Sequence, residues 1–125
     1  MLKKVAFTMF PVQDTRRARA FYEQTLGLKV GKHSDNGVWT EYDLPGGGCL
    51  ALFNHPDPKA AAPPGGASIA FEVEDLDALV ARLKKEGIRF QVEDVRSPVC
   101  RMAALPDTEG NTIILHKLNA KEPAP

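Results

Sequence analysis

Asp14 and Asp75 each stand before a stretch of helical spacing, and each is followed, 13 and 12 residues on, by a glycine. Those glycines open similar tetrapeptides, Gly27-Leu28-Lys29-Val30 and Gly87-Ile88-Arg89-Phe90. A short polar residue before a helix accepts an orphan N–H, and a glycine after it takes the left-handed closing turn, so the two pairs mark two helices of similar length. An apolar run precedes each helix, Val5 to Phe10 and Ser68 to Val73, and strand-like segments follow each. The order β-α-β-β-β therefore occurs twice, a duplication that rules out most folds open to a chain of 125 residues.

The periodicity fills in the modules. Thr15 to Leu26 carries Ala18, Phe21, Tyr22 and Leu26 on one helical face, and Leu76 to Lys85 carries Leu76, Leu79, Val80 and Leu83. Strands are predicted at Val38 to Leu44 and Cys49 to Phe53, joined by the turn Pro45-Gly46-Gly47-Gly48, with a short one at Leu28 to Val30. In the second copy they are predicted at Phe90 to Val95, Val99 to Leu105 and Thr112 to Leu118. The first module spans 1–54, a Pro-, Gly- and Ala-rich linker 55–66, the second module 67–118, and a flexible tail 119–125, all within one domain. The fold class is α+β.

Sixteen basic residues balance sixteen acidic ones, which argues against nucleic acid or an acidic membrane surface as partner. A small, weakly charged ligand is the better expectation. No stretch reaches the roughly 20 apolar residues of a membrane span, and the opening segment lacks a secretory leader's pattern. Cys49 and Cys100 form no CxxC pair, so a cytoplasmic protein with reduced thiols is expected.

Three motifs carry a family resemblance: Ala20-Phe21-Tyr22-Glu23-Gln24-Thr25-Leu26-Gly27-Leu28, the passage Ala70-Phe71-Glu72-Val73-Glu74-Asp75-Leu76-Asp77, and the turn Asp107-Thr108-Glu109-Gly110-Asn111. With the duplicated module, the chain resembles the vicinal oxygen chelate superfamily, which includes glyoxalase I, bleomycin and fosfomycin resistance proteins and extradiol dioxygenases. The resemblance implies a half-open, curved sheet with a ligand in its cup and, commonly, a homodimer. Metal-using relatives hold a divalent cation there. The corresponding positions in this chain are Phe7 and Ser68, each seven residues before its capping aspartate, Ile114, four after Gly110, and a position near Leu52. Three of the four are hydrocarbon, so no metal and no other cofactor is expected.

Strand alternation then puts Phe7 and Met9, Ser68, Ala70 and Glu72, Cys100, Met102 and Ala104, and Thr112, Ile114 and His116 on the cup side. With Trp39 and Leu52 these give a largely apolar lining, the usual composition of a small-molecule site, although the large side chains could equally be core. Three residues are candidates for chemistry. Glu41 could be a general base if the Trp39 side of its strand faces the cup, or could face solvent. Cys100 could be a nucleophile, or a small hydrophobe whose neighbour Arg101 points the other way. His116 could serve in recognition or proton transfer, or simply end its strand. The leading expectation is a metal-free binding protein for a partly apolar ligand. The alternative is an enzyme of the same superfamily, a lyase, isomerase or dioxygenase, drawing on unusual positions such as Glu41, Glu72 and His116.

Overall fold

A computed structural model describes residues 1–63 and 65–120, so most of the expected flexible tail lies outside the described residues. The chain divides into two compact units: Met1–Ala67 with Asp107–Asn111, and Ser68–Pro106 with the segment from Thr112 onward.

The first unit contains β1 (Thr8–Pro11), α1 (Thr15–Ala20), β2 (Val30–His33), β3 (Trp39–Asp43) and β4 (Cys49–Phe53). Its sheet has the order β1-β4-β3-β2, with β1 parallel to β4 and the other pairs antiparallel. The second contains β5 (Ser68–Glu72), α2 (Leu76–Lys85), β6 (Val92–Arg96), β7 (Cys100–Pro106) and β8 (Thr112–Leu118). Its order, β5-β8-β7-β6, has the same single parallel pair at the same place. Two βαβββ modules, each with its own four-stranded mixed sheet, are thus present.

The helix boundaries follow the sequence signals. Asp14 Oδ1 accepts the Arg17 N–H at 2.9 Å and Asp75 Oδ1 the Ala78 N–H at 3.0 Å. Gly27 and Gly87 close the helices at φ +78° and +91°, where a side chain would be strained. Past Ala20 the first helix widens into a π-helical turn, Phe21–Thr25, in which the Leu26 N–H reaches Phe21 O at 3.0 Å. That widening packs Tyr22 flat against Tyr42, ring centroids 5.9 Å apart.

Three strands begin two or three residues later than predicted, for hydrogen-bonding reasons, and β3, β5 and β7 differ from their predicted bounds by one residue. β1 begins at Thr8 rather than Val5 because its parallel pairing with β4 starts at Thr8 opposite Leu50, leaving Val5 75% exposed and without a ladder. β2 begins at Val30 rather than Leu28 because the Leu28 N–H still closes the helix onto Tyr22 O. Likewise Ile88 closes α2 onto Leu83 O, and β6 begins at Val92 rather than Phe90.

In the first unit the helix-covered face buries Phe10, Thr40, Tyr42, Leu50 and Leu52. Its polar centre is the turn Asp107–Asn111, which groups with this unit although it falls within the second sequence repeat. Glu109, its side chain fully buried, accepts the N–H groups of Gln13 and Asp14 at 2.9 Å each and the Arg17 guanidinium at 2.7 and 2.9 Å. It thereby caps the start of α1 from 92 residues or more away in sequence. Asp107 accepts the Tyr22 hydroxyl at 2.6 Å and the N–H groups of Glu109 and Asn111 at 2.8 Å. Among the described residues no buried side-chain polar atom lacks a partner. In the second unit, α2 lies against β8 and buries Leu76 and Leu83, on the face where Ala103, Leu105, Ile113 and Leu115 are also buried.

Burial alone would raise the Glu109 carboxyl, but the Asp14 and Gln13 N–H groups and Arg17 outweigh it and hold the group below the ordinary glutamate range. A depressed value in the folded state means that the stabilisation is complete above the unfolded value, about 4.3, and is lost as pH falls through the folded one. Glu109→Ala is expected to cost about 2 kcal/mol and Tyr22→Phe about 1 kcal/mol by urea unfolding at pH 7. The Glu109→Ala difference should shrink below about pH 4. A Glu109→Ala cost under about 0.5 kcal/mol would contradict the capping role.

Candidate functional site

Each sheet has one face turned away from its helix, and strand pairing decides which side chains it carries. In the first unit the cross-strand rows Met9, Ala51, Glu41 and Pro11, Phe53, Trp39 share the open face. Phe7, just ahead of β1, meets Trp39 edge-on with ring centroids 5.3 Å apart. Trp39 touches Phe53 at 5.9 Å, and Phe53 touches His55 at 5.2 Å. The result is a continuous aromatic run whose outer end, Phe7, is 47% exposed, with Met9 beside it 42% exposed. Apolar surface of this kind on an otherwise solvated face marks a place where something binds.

The Trp39 side of β3 does face outward from the helix, which brings Glu41 to the open face. There Glu41 Oε1 accepts the Trp39 indole N–H at 2.9 Å, so the carboxylate orients the indole rather than standing as an unengaged base. Leu52 is a correction. It pairs with Phe10 and Thr40 on the helix-covered face and is 1% exposed, so its neighbours Ala51 and Phe53 take the open positions. Because the pleat has period two, an error of one residue exchanges the faces.

Beyond Phe53 the first unit has a half-open pocket of about 440 Å³, lined by Met9, Gln13, Phe53, His55, Pro58 and the alanines at 60–62. His55 was not foreseen as a site residue. Its Nδ1 accepts the Asp57 N–H at 2.9 Å, which fixes the neutral ring with its proton on Nε2. The sequence signal was the run His55-Pro56-Asp57-Pro58, in which closely spaced prolines and an aspartate hold a tight turn.

In the second unit the pairing agrees with the alternation. Ser68, Ala70 and Glu72 stand opposite Thr112, Ile114 and His116, and Pro106, Ala104 and Met102 flank them on β7. Cys100, opposite Leu118, shares that face. His116 Nδ1 lies 2.5 Å from Glu72 Oε1, and Glu72 Oε2 accepts the Leu118 N–H at 2.8 Å. The Leu118 amide, followed by the imidazole, holds the Glu72 carboxyl below its ordinary range. Cys100 is 7% exposed, with its sulfur 3.2 Å from the Ser97 hydroxyl. Arg101 points to the opposite face, where Asp77 takes its guanidinium at 2.6 and 3.1 Å and Asp94 at 3.3 Å. Arg101 therefore does not activate Cys100.

Within each unit, the positions that metal-using relatives employ carry the wrong chemistry for a divalent cation. Phe7 and Ile114 are hydrocarbon, Ser68 offers a neutral alcohol, and β4 offers only Ala51, Leu52 and Phe53 around the fourth position. Among the described residues no three His, Cys, Asp or Glu side chains are grouped to hold an ion. The donor set does not fit that group. No helix among the described residues is long and apolar enough to cross a membrane.

The model of the glyoxalase/bleomycin resistance protein/dioxygenase superfamily matches residues 4–115. The chain belongs to this superfamily. Among solved structures it is similar to TnmS3, an antibiotic binding protein from Streptomyces sp. CB03234, with 27% identity over 94% of this chain and 98% of that one and a TM-score of 0.79. A lactoylglutathione lyase from Agrobacterium tumefaciens (18% identity, 94% and 95% covered, TM-score 0.77) and a glyoxalase/dioxygenase from Nostoc punctiforme (23%, 95% and 93%, 0.75) share the superfamily fold. No curated protein sequence matches the chain at a significant level.

The thiols give a direct check on the nucleophile idea. Burial, then Glu41 and Asp43, push the Cys49 thiol up, and Cys100 is shielded. Both should react with Ellman's reagent at pH 7 more slowly than a free thiol, Cys100 the slower of the two. A fast phase abolished by Cys100→Ser would restore the nucleophile.

Proposed function

We propose that this superfamily member is a metal-independent binding protein for a small, partly apolar molecule. The observation that carries the reading is the aromatic run Phe7, Trp39, Phe53 and His55, exposed at Phe7 and half-buried beyond it, leading to the 440 Å³ pocket. Such a surface offers flat, polarisable contacts with few polar anchors, which suits an aromatic ligand. The antibiotic-binding description of the similar TnmS3 supports the reading. Phe7, Met9 and Trp39 are proposed as contacts in the first unit, and Ser68, Cys100, Met102, Ile114 and His116 on the open face of the second. The absence of a resident metal rests on the donor chemistry at Phe7, Ser68 and Ile114. A cytoplasmic location, where both thiols stay reduced, and a homodimer complete the proposal, the latter to be measured by light scattering.

One observation favours the enzymatic alternative. A carboxylate and an imidazole paired at 2.5 Å, as Glu72 and His116 are, form a unit able to take up or deliver a proton.

Trp39 is the one tryptophan, so its fluorescence reports the aromatic run alone. Titration with bleomycin and an anthracycline is expected to give saturable quenching with at least one of them. Phe53→Ala should weaken that binding about tenfold, the scale of one lost aromatic contact with its buried area. Protein purified without chelator should carry background metal and show no turnover of hemithioacetals or catechols. Stoichiometric metal with turnover would sink the reading.

A further inference from the structure

The Glu72–His116 pair defines what the second unit can recognise. Glu72 is held by two contacts, the Leu118 N–H on one oxygen and the His116 ring on the other. A carboxylate can only accept, so Nδ1 carries a proton, and in the neutral imidazole Nε2 then presents a lone pair. Nε2 has no protein partner among the described residues, and the side chain is 25% exposed. The open face at this place therefore offers an acceptor of fixed orientation beside the half-exposed Glu72 carboxylate.

The floor beside that acceptor is apolar, low at its two alanines and raised at Ile114 between them. Ala70, Ile114 and Ala104 form one cross-strand row, and Glu72, His116 and Met102 form the next. Two methyl side chains flanking one isoleucine leave a shallow apolar strip across three strands, about 9.5 Å wide, and His116 stands one row, about 7 Å, along from it. A ring system lying on the alanine row would bring a substituent on its edge to Nε2. A carbonyl or ether oxygen there would set two lone pairs against each other, whereas a hydroxyl would donate.

From this juxtaposition we infer that the second unit is a subsite for a flat aromatic molecule bearing a phenolic or enolic hydroxyl, with His116 Nε2 accepting the hydroxyl proton and Glu72 positioning the ring. The inference rests on the binding reading above and names the ligand chemistry that reading leaves open. It requires no bond to form or break.

The test uses a matched pair, 2-naphthol and 2-methoxynaphthalene, with the full-length protein. Side-chain ¹⁵N spectra, with His116 assigned by His116→Gln, should show a protonated Nδ1 and a bare Nε2. Adding 2-naphthol should move the Nε2 signal, and the naphthol should bind about three- to tenfold more tightly than the ether, the range one hydrogen bond provides. His116→Gln should reduce that preference, and Glu72→Gln should abolish or reverse it, since a glutamine amide can donate to Nδ1 and move the ring proton to Nε2. Backbone amide spectra show that each variant is folded. Equal binding of phenol and ether to the wild type, a proton on Nε2, or an unchanged preference in Glu72→Gln would overturn the inference while leaving the binding reading intact. If neither naphthalene binds but bleomycin or the anthracycline still quenches Trp39, the inference falls and the binding reading survives. If no probe binds at all, both fall.

Discussion

A buried carboxylate that caps a helix from the far end of the chain sets the terms for the first unit. Glu109 reaches the two N–H groups before α1 and the Arg17 guanidinium, while Asp107 beside it takes the Tyr22 hydroxyl. Each of these groups would be costly to bury without its partner. The open aromatic face depends on the same contacts at one remove, because Tyr22 stacks on Tyr42 of β3, the strand that carries Trp39 and Glu41 on its other side. Since the turn lies so late in the sequence, the first unit completes its polar core only through long-range contacts, which close a large loop before they repay it.

Much of this was legible because repeats and periodicity are local. Asp14 with Gly27, and Asp75 with Gly87, mark helix ends by backbone chemistry that needs no knowledge of the partner strand. The open face of the second unit followed from alternation alone, since β8 is a clean run from Thr112 to Leu118. Leu52 failed because all three central residues of β4, Leu50, Ala51 and Leu52, are apolar and buried, so the pattern shows no alternation from which to choose a face. Register against β1 and β3 decides it, and register is not local.

The remaining gaps have the same origin. Glu72 and His116 lie 44 residues apart, and only the parallel pairing of β5 with β8 makes them neighbours. His55 begins a segment whose composition reads as a linker, and its part in a pocket wall depends on the fold of the chain between Asn54 and Ala62. The grouping of Asp107–Asn111 with the first unit could not be inferred from a repeat that assigns the turn to the second. Residue type told where chemistry was possible. Pairing told which residues could share it.

Two polar sites on the open faces have one property in common: each is already held by a neighbour in its own sheet. Glu41 is fixed on the Trp39 indole, and His116 on a carboxylate that the Leu118 amide also holds. Groups ordered before a ligand arrives need not be ordered by it, so less of the interaction energy is lost as side-chain entropy. The same arrangement narrows what can bind, because an indole whose N–H is engaged offers a ligand only its apolar surface, and a neutral imidazole whose Nδ1 proton goes to its carboxylate offers a lone pair at Nε2. Phe7 and Ile114 offer a cation no donor atom. In the binding role proposed above, selection falls to shape, aromatic contact and hydrogen bonding at the strand edge.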